Sequence, residues 1–271
     1  MLLRRENDPA TSMRDLAAAS ARAAPSPKVH VLVRKEDIDA SRLGGRVVIV
    51  LDILFATTTI VTALNAGATM VIPAETPNEA RRIAASMPAD SYAIAGEDHL
   101  ASIPGFATPL PLELTQTEGF GGKPLIYSTT NGTVALRHSR GAEAVYAAAL
   151  LNVQLTLDHV ARNHPGKPLV IVCAGSAGAL NLEDFYGAGC FIARLAPMLD
   201  LSRDVSDTGL AALAVFRAAP AYETIAASRI GRIVRGVGGD DEIRHAAQID
   251  SLQLVAMLVG RDEQEQVVRV E

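Results

Sequence analysis

Val47-Val48-Ile49-Val50-Leu51-Asp52-Ile53-Leu54-Phe55-Ala56-Thr57-Thr58-Thr59 is the stretch on which the fold turns. Five consecutive apolar residues, four of them β-branched, stop at an acid and run into a threonine cluster. A strand with no polar face belongs in a sheet covered on both sides, which is the signature of parallel α/β architecture. Two later stretches repeat the pattern. Pro124-Leu125-Ile126-Tyr127 stops at Ser128-Thr129-Thr130-Asn131-Gly132-Thr133, and Leu169-Val170-Ile171-Val172 stops at Cys173-Ala174-Gly175-Ser176-Ala177-Gly178. The carboxyl ends of strands in an open parallel sheet open onto one crevice where ligands bind. Three stops rich in hydroxyls, amides and glycines therefore predict one anion site, and an enzyme acting on a small phosphorylated molecule.

Working outward, β-branched runs predict strands at 29–33, 47–52, 70–73, 92–95, 125–128, 144–146 and 169–173. Helices alternate with them at 57–66, 78–87, 153–163 and 183–195. Thr76-Pro77 supplies an N-cap followed by proline at the first helical position. The expected fold class is α/β, a mainly parallel sheet with helices on both faces and a helical C-terminal part. That part is read as helical from Ser206 onward, with helices at 208–217, 221–228 and 241–247 and a break at Gly236-Val237-Gly238-Gly239. Residues 29–271 are expected to form one domain, with two subdomains meeting near 200–206 as a variant. Leu100 to Gly122 holds Pro104, Pro109 and Pro111, and a loop of that length in a compact domain is usually functional or mobile. Residues 1–28 are expected to be a flexible extension with a short Ala-rich helix at 13–24.

Composition narrows the function. A formal charge of −5 gives no basic footprint for nucleic acid. No apolar stretch reaches the ~20 residues of a membrane span, and the start lacks the apolar core of a secretory signal. The chain is therefore expected to be cytoplasmic, with a homo-oligomer left open. Cys173 and Cys190 lack metal-type spacing and read as buried free thiols. Six histidines form no H-x-H or H-E-x-x-H arrangement, which argues against zinc. His99, two residues beyond Glu97, is a weak candidate for proton transfer.

Asp52 is the sharpest single residue. A carboxylate at a strand end is costly to desolvate unless it binds metal or accepts hydrogen bonds; the bland alternative is a helix N-cap. Thr57, Thr58 and Thr59 suit a first helical turn, where hydroxyls and N–H groups hold a phosphate, and capping alone would explain one of them. Glu97 is a second strand-end acid, although a lone acid there is usually just solvated. Asn181 could cap the next helix, leaving Glu183 and Asp184 in a first turn where acids also occur for dipole reasons. Together Asp52, Glu97 and Asp184 could supply oxygen ligands to Mg²⁺. Thr129, Thr130, Asn131, Gly132 and Thr133 form a strand-to-helix turn with its donors gathered, and Gly175 lies in the third stop.

Three rivals use the same residues. A haloacid dehalogenase-type phosphatase needs a second acid two residues after the nucleophile, where this chain has Leu54. An α/β-hydrolase elbow would use Ser176 with His245 as the best-placed later histidine. A non-enzymatic binding module is compatible with the carboxylates.

In one order, the chain carries Asp52-Ile-Leu-Phe-Ala-Thr-Thr-Thr, Gly96-Glu97, Gly105-Phe106, Thr129-Thr130-Asn131-Gly132-Thr133, Asn152, Cys173-Ala174-Gly175, Glu183-Asp184 and Gly187-Ala188-Gly189. This combination resembles the 2-phosphosulfolactate phosphatase family, first associated with coenzyme M biosynthesis, from about residue 29 to about 256. The resemblance implies a Mg²⁺-dependent phosphatase on an α/β fold, hydrolysing the phosphate ester of a small three-carbon acid. It implies catalytic roles for Asp52, Glu97, Asn131 and Asp184, with Asp52, Glu97 and Asp184 as metal ligands. Phosphoryl contacts would come from Thr57, Thr58, Thr59, Thr129, Thr130, Gly132, Thr133 and Gly175. Two departures stand out. Phe55 replaces the Arg of the family's D-x-L-R-A-T-T pattern, and Gly105-Phe106-Ala107-Thr108-Pro109-Leu110-Pro111 lacks the polar residues of its G-F-D-x-G-N-S-P loop. Arg makes bidentate contacts with phosphate, sulfonate or carboxylate, and Phe makes none. The expectation is a Mg²⁺-dependent phosphatase acting on a small three-carbon acid such as 2-phosphosulfolactate; the alternatives are a divergent member acting on another small phosphate ester and a catalytically silent small-anion-binding protein.

Overall fold

The structure, a computed structural model, describes residues 28–117, 120–260 and 266–270. The expected N-terminal extension and its short helix fall at residues 1–27, outside the described residues but for Lys28. In chain order the strands are β1 Val29–Leu32, β2 Val47–Leu51, β3 Val71–Ala74, β4 Ala93–Asp98, β5 Ala101–Ser102, β6 Leu125–Ser128, β7 Ala144–Ala148, β8 Leu169–Cys173, β9 Val255–Val259 and β10 Gln266–Val270. They form one sheet in the order β1-β8-β2-β7-β9-β10-β3-β6-β4-β5. All seven expected strands are present. Every residue of β2, β7 and β8 is buried. Successive side chains of a strand point to opposite faces, so complete burial requires helices on both.

The last part of the chain corrects one expectation. Val255-Ala256-Met257-Leu258-Val259 and Gln266-Val267-Val268-Arg269-Val270 are strands rather than a continuation of the helices, and they sit in the middle of the sheet. β9 runs antiparallel to β7, β10 antiparallel to β9, and β3 antiparallel to β10. They therefore join two parallel halves, β1-β8-β2-β7 and β3-β6-β4, that point in opposite directions. In a flat sheet the end of β6 would lie on the opposite edge from the end of β2 and about 24 Å away, at about 4.8 Å per strand. Yet Gly132, just after β6, touches Asp52, just after β2. The sheet is folded over so that the carboxyl ends of its two halves meet.

The helices are α1 Ala56–Asn65, α2 Pro77–Ala85, α3 Pro111–Thr115, α4 Gly132–His138, α5 Val153–Asn163, α6 Leu182–Leu195, α7 Leu201–Asp204, α8 Asp207–Ala218, α9 Ala221–Ala227, α10 Arg229–Gly236 and α11 Asp240–Ala246. α1 is core: all its residues except Asn65 are buried, and it packs on β7, β9, β10 and β3. It fills the bend where the sheet folds. α2 starts as its sequence predicts, with the Thr76 hydroxyl accepting from the Glu79 N–H and Pro77 at the first position. α6 and α8 approach so closely at Gly189 that a Cβ there would lie 2.1 Å from the Ala212 carbonyl oxygen.

The C-terminal helices also reach the long loop. Both oxygens of the buried Glu242 carboxylate in α11 accept backbone N–H groups of Leu112 and Glu113 at 3.0 Å, closing the start of α3. His245 of α11 bonds the Thr62 hydroxyl of α1 at 2.8 Å. The expected loop is thus a short strand and a short helix fastened from the far end of the chain.

Candidate active site

Asp52 sits at the turn from β2 into α1, 5% exposed. Its carboxylate accepts the backbone N–H groups of Ala56 and Gly132, one from each half of the sheet. Its own backbone is clamped by Thr57, whose hydroxyl accepts the Asp52 N–H at 2.9 Å and donates to the Asp52 carbonyl at 3.1 Å. Burial, with the negative charges of Glu97 and Glu183, pushes the Asp52 carboxyl up to about 7. Gly132 makes this contact available, because a Cβ there would lie 2.6 Å from Asp52 Oδ2 and 2.4 Å from the Ala56 Cβ. The Leu54–Phe55 peptide next to it is cis.

Asp184, in the first turn of α6, is fully buried and spends both oxygens on backbone: Oδ1 accepts the Ile53 N–H at 2.8 Å and Oδ2 the Gly175 N–H at 3.1 Å. It staples the loop after β2 to the loop after β8. Burial first, then the Asp52 and Glu183 charges, hold its carboxyl well above the usual range. Glu183 beside it is 1% exposed; its Oε1 is buried with no hydrogen-bond partner, while its carboxylate faces Ser228 and Arg229.

Glu97, at the end of β4, accepts the Thr130 N–H at 2.7 Å, the Thr130 hydroxyl at 3.1 Å and the Leu100 N–H at 2.6 Å. Asn131 follows, and its Oδ1 accepts from Lys35 Nζ at 2.8 Å, which leaves its amide N–H₂ as the free donor. Ser176 donates to Asn181 Oδ1 at 2.8 Å and accepts from Arg229.

The hydroxyls expected at a phosphate are engaged elsewhere. Thr58 donates to the Ile53 carbonyl at 2.9 Å and Thr59 to the Pro109 carbonyl at 2.7 Å, and Thr57 is spent on Asp52. All three are completely buried, so they shape the Asp52 turn rather than line a cavity. Thr129 and Thr133 bond each other's backbone, the Thr133 hydroxyl taking the Thr129 N–H at 3.0 Å and the Thr129 hydroxyl the Thr133 N–H at 3.2 Å. Among the described residues no group of three or more His, Cys, Asp or Glu side chains is arranged to hold a metal ion, although Glu97 and Asp184 both lie near enough to Asp52 for the charges to act on one another. The reason is local, since Glu97 and Asp184 are turned to backbone amides. His99 points outward, its side chain 83% exposed beside Asp98. The hydrolase-elbow rival fails because His245 is bonded to Thr62 and Ser176 to Asn181 and Arg229.

These residues face a cavity of ≈ 230 Å³. Asp52, Glu97, Thr129, Asn131, Ser176 and Asn181 form its polar side; Phe55, Leu110, Ile230 and Val234 lie among its apolar lining. Sequence reading placed Asp52, Glu97, Thr129 and Asn131 at one site, and the structure brings them to one wall. It missed Lys35 and Arg229, and it weighed Glu183 only as a first-turn acid beside Asp184. Lys35 follows β1, so the strand-end logic applied to β2, β6 and β8 would have reached it. Arg229 comes from a helix with no local signal. No single helix among the described residues is long and apolar enough to cross a membrane.

Comparison with known proteins agrees with this geometry. The family model described as 2-phosphosulpholactate phosphatase matches residues 32–261. A probable 2-phosphosulfolactate phosphatase of Symbiobacterium thermophilum is 36% identical over 219 residues, covering 80% of this chain and 92% of the relative. One of Carboxydothermus hydrogenoformans is 30% identical over 233 residues, covering 84% and 92%. One of Clostridium beijerinckii is 32% identical over 185 residues, covering 68% and 75%. With matches running through both halves of the sheet and the cavity between them, the chain belongs to the 2-phosphosulfolactate phosphatase family.

Proposed function

We propose that this cavity hydrolyses the phosphate monoester of a small acid of the 2-phosphosulfolactate type, with Mg²⁺ as cofactor and Asp52 at the reacting centre. The carrying observation is Asp52 itself. A buried carboxylate, aimed at a cavity and pushed up to about 7 by burial and by Glu97 and Glu183, is a group whose negative charge awaits compensation. The donor set fits Mg²⁺ bound in its usual manner, through one or two carboxylates, waters and substrate phosphate, rather than in an all-protein cage. Asp52 would hold it, and the ion would neutralise phosphoryl charge.

The chain's own groups do the rest. The Asn131 amide, fixed by Lys35, donates to a phosphoryl oxygen and stabilises charge growing there. Glu97, immobilised on Thr130 and Leu100, keeps that turn in register with Asp52. Asp184 locks the Asp52 loop from behind. Water attacks phosphorus, the ester P–O bond breaks, and orthophosphate and the free hydroxy acid leave.

Phosphate release from 2-phosphosulfolactate and related phosphorylated three-carbon acids, with and without Mg²⁺, tests this. Turnover should require the cation and fall at least a hundredfold in Asp52→Asn. Turnover that survives both chelation and the substitution would overturn the assignment.

A further inference from the structure

The apolar side of the cavity is the part that hydrolysis leaves unexplained. Helix α10 presents Ile230, Ile233 and Val234 to it, with Val237 just beyond the helix end; the spacing i, i+3, i+4, i+7 makes these one face. Ile230 and Val234 are buried, but Ile233 is 45% and Val237 80% exposed, and Leu100, also part of the lining, is 56% exposed. Exposed large apolar side chains gathered around one opening mark a binding surface rather than scattered surface residues. Phe55 and Leu110 belong to the same lining, which also includes Asp52.

Charge points the same way. Among the described residues no Lys, Arg or His lines the cavity. Lys35 is held on Glu36 and Asn131, and Arg229 on Ser176. A substrate carrying a sulfonate as well as a phosphate and a carboxylate would press its extra anion against an apolar wall whose lining holds no cation, Lys35 and Arg229 being already bonded to Asn131 and Ser176, which is costly. An apolar group in the same place is favoured. There is room for it: a ~150 Å³ apolar cavity already takes up benzene, and this one encloses ≈ 230 Å³.

Building on the phosphatase reading above, we propose that the ester cleaved here carries an aliphatic or aromatic group in place of the sulfonate, its phosphate at Asp52 and Asn131 and its apolar part against Phe55, Leu110 and the inward face of α10. Specificity then resides in α10, a helix contributed by the C-terminal part of the chain.

The test compares kcat/KM, with Mg²⁺, for 2-phosphosulfolactate, 2-phospholactate and the phosphate esters of 2-hydroxyhexanoate and 3-phenyllactate. Each buried methylene should raise kcat/KM about fourfold, the equivalent of about 0.8 kcal/mol, so the phenyl ester should exceed the sulfonate by tenfold or more. Ile233→Asp and Val237→Asp, both at partly exposed positions, should each narrow that ratio at least tenfold, chiefly through KM for the phenyl ester. A wild-type preference for the sulfonate, or a ratio unmoved in both variants, would overturn the proposal. If no ester is hydrolysed, the phosphatase reading fails on its own. Calorimetry with the corresponding non-hydrolysable phosphonates then decides the specificity: tighter binding of the phenyl compound upholds it, and tighter binding of the sulfonate or no binding of either overturns it.

Discussion

Replacing Asp52 by Asn should abolish activity and yet stabilise the metal-free protein at alkaline pH. The folded protein holds the Asp52 carboxyl at about 7, against an ordinary value of 3.8. Between those values the folded state binds a proton that the unfolded chain releases, so the contribution of this group is intact below pH 3.8 and is lost as pH rises through about 7. At about 1.4 kcal/mol per pH unit, ionised Asp52 costs up to about 4 kcal/mol at pH 8. Protonated Asp and Asn each offer one carbonyl oxygen to the Ala56 and Gly132 N–H groups, so the two proteins should be almost equally stable near pH 4. The substitution removes that cost together with the repulsion from Glu97 and Glu183, an expected gain at pH 8 of about 2–4 kcal/mol, or about 5–10 °C in Tm for a chain of this size. Circular dichroism melts in EDTA across pH 4–8 read this directly, and the chain has no Trp to follow instead. A variant that melts no higher than wild type at pH 8, or by the same margin at every pH, would refute the reasoning. Added Mg²⁺ should raise the wild-type Tm and leave that of the variant unchanged, because a ligand stabilises only the state that binds it.

Gly132→Ala should cost about 1–3 kcal/mol through overpacking and abolish turnover, since the new methyl would sit 2.6 Å from Asp52 Oδ2; thermal melts beside a phosphatase assay check it, and full activity would show that the two sheet halves need not meet there. Burial lowers the His245 imidazole below its ordinary 6.5. Its contribution is therefore intact above pH 6.5 and lost as pH falls through the depressed value. The stability difference between wild type and His245→Gln, measured by urea unfolding, should be constant above pH 7 and shrink steadily below 6.5; a difference that stays flat to pH 5 would show that the ring does not titrate on its Thr62 contact.

How much of this was legible in the residues differs from element to element. β6 and α5 have the boundaries their sequences predict, because an apolar run and a helical period are local properties. β9 and β10 were missed although Val255-Ala256-Met257-Leu258-Val259 is itself an apolar run. It follows a series of helices, and only pairing with β7 and β10 tells a buried strand from one more helical turn. The threonines after Asp52 mark the right turn, but their hydroxyls face inward to Ile53, Pro109 and Asp52 itself.

By itself the sequence determined the α/β class, the strand-end carboxylates Asp52 and Glu97, the Asn131 turn and the family, since each is written in a short segment whose local conformation follows from its own residues. Only the tertiary structure decided that β9 and β10 reverse the sheet and fold its halves together, bringing Gly132 onto Asp52. It likewise decided that Lys35 and Arg229 reach the site, that Glu97 and Asp184 turn to backbone amides, and that α10 lays an apolar face along the cavity. Those outcomes depend on which distant groups share a desolvated space, and burial, pairing and proton affinity are properties of that space rather than of any one segment.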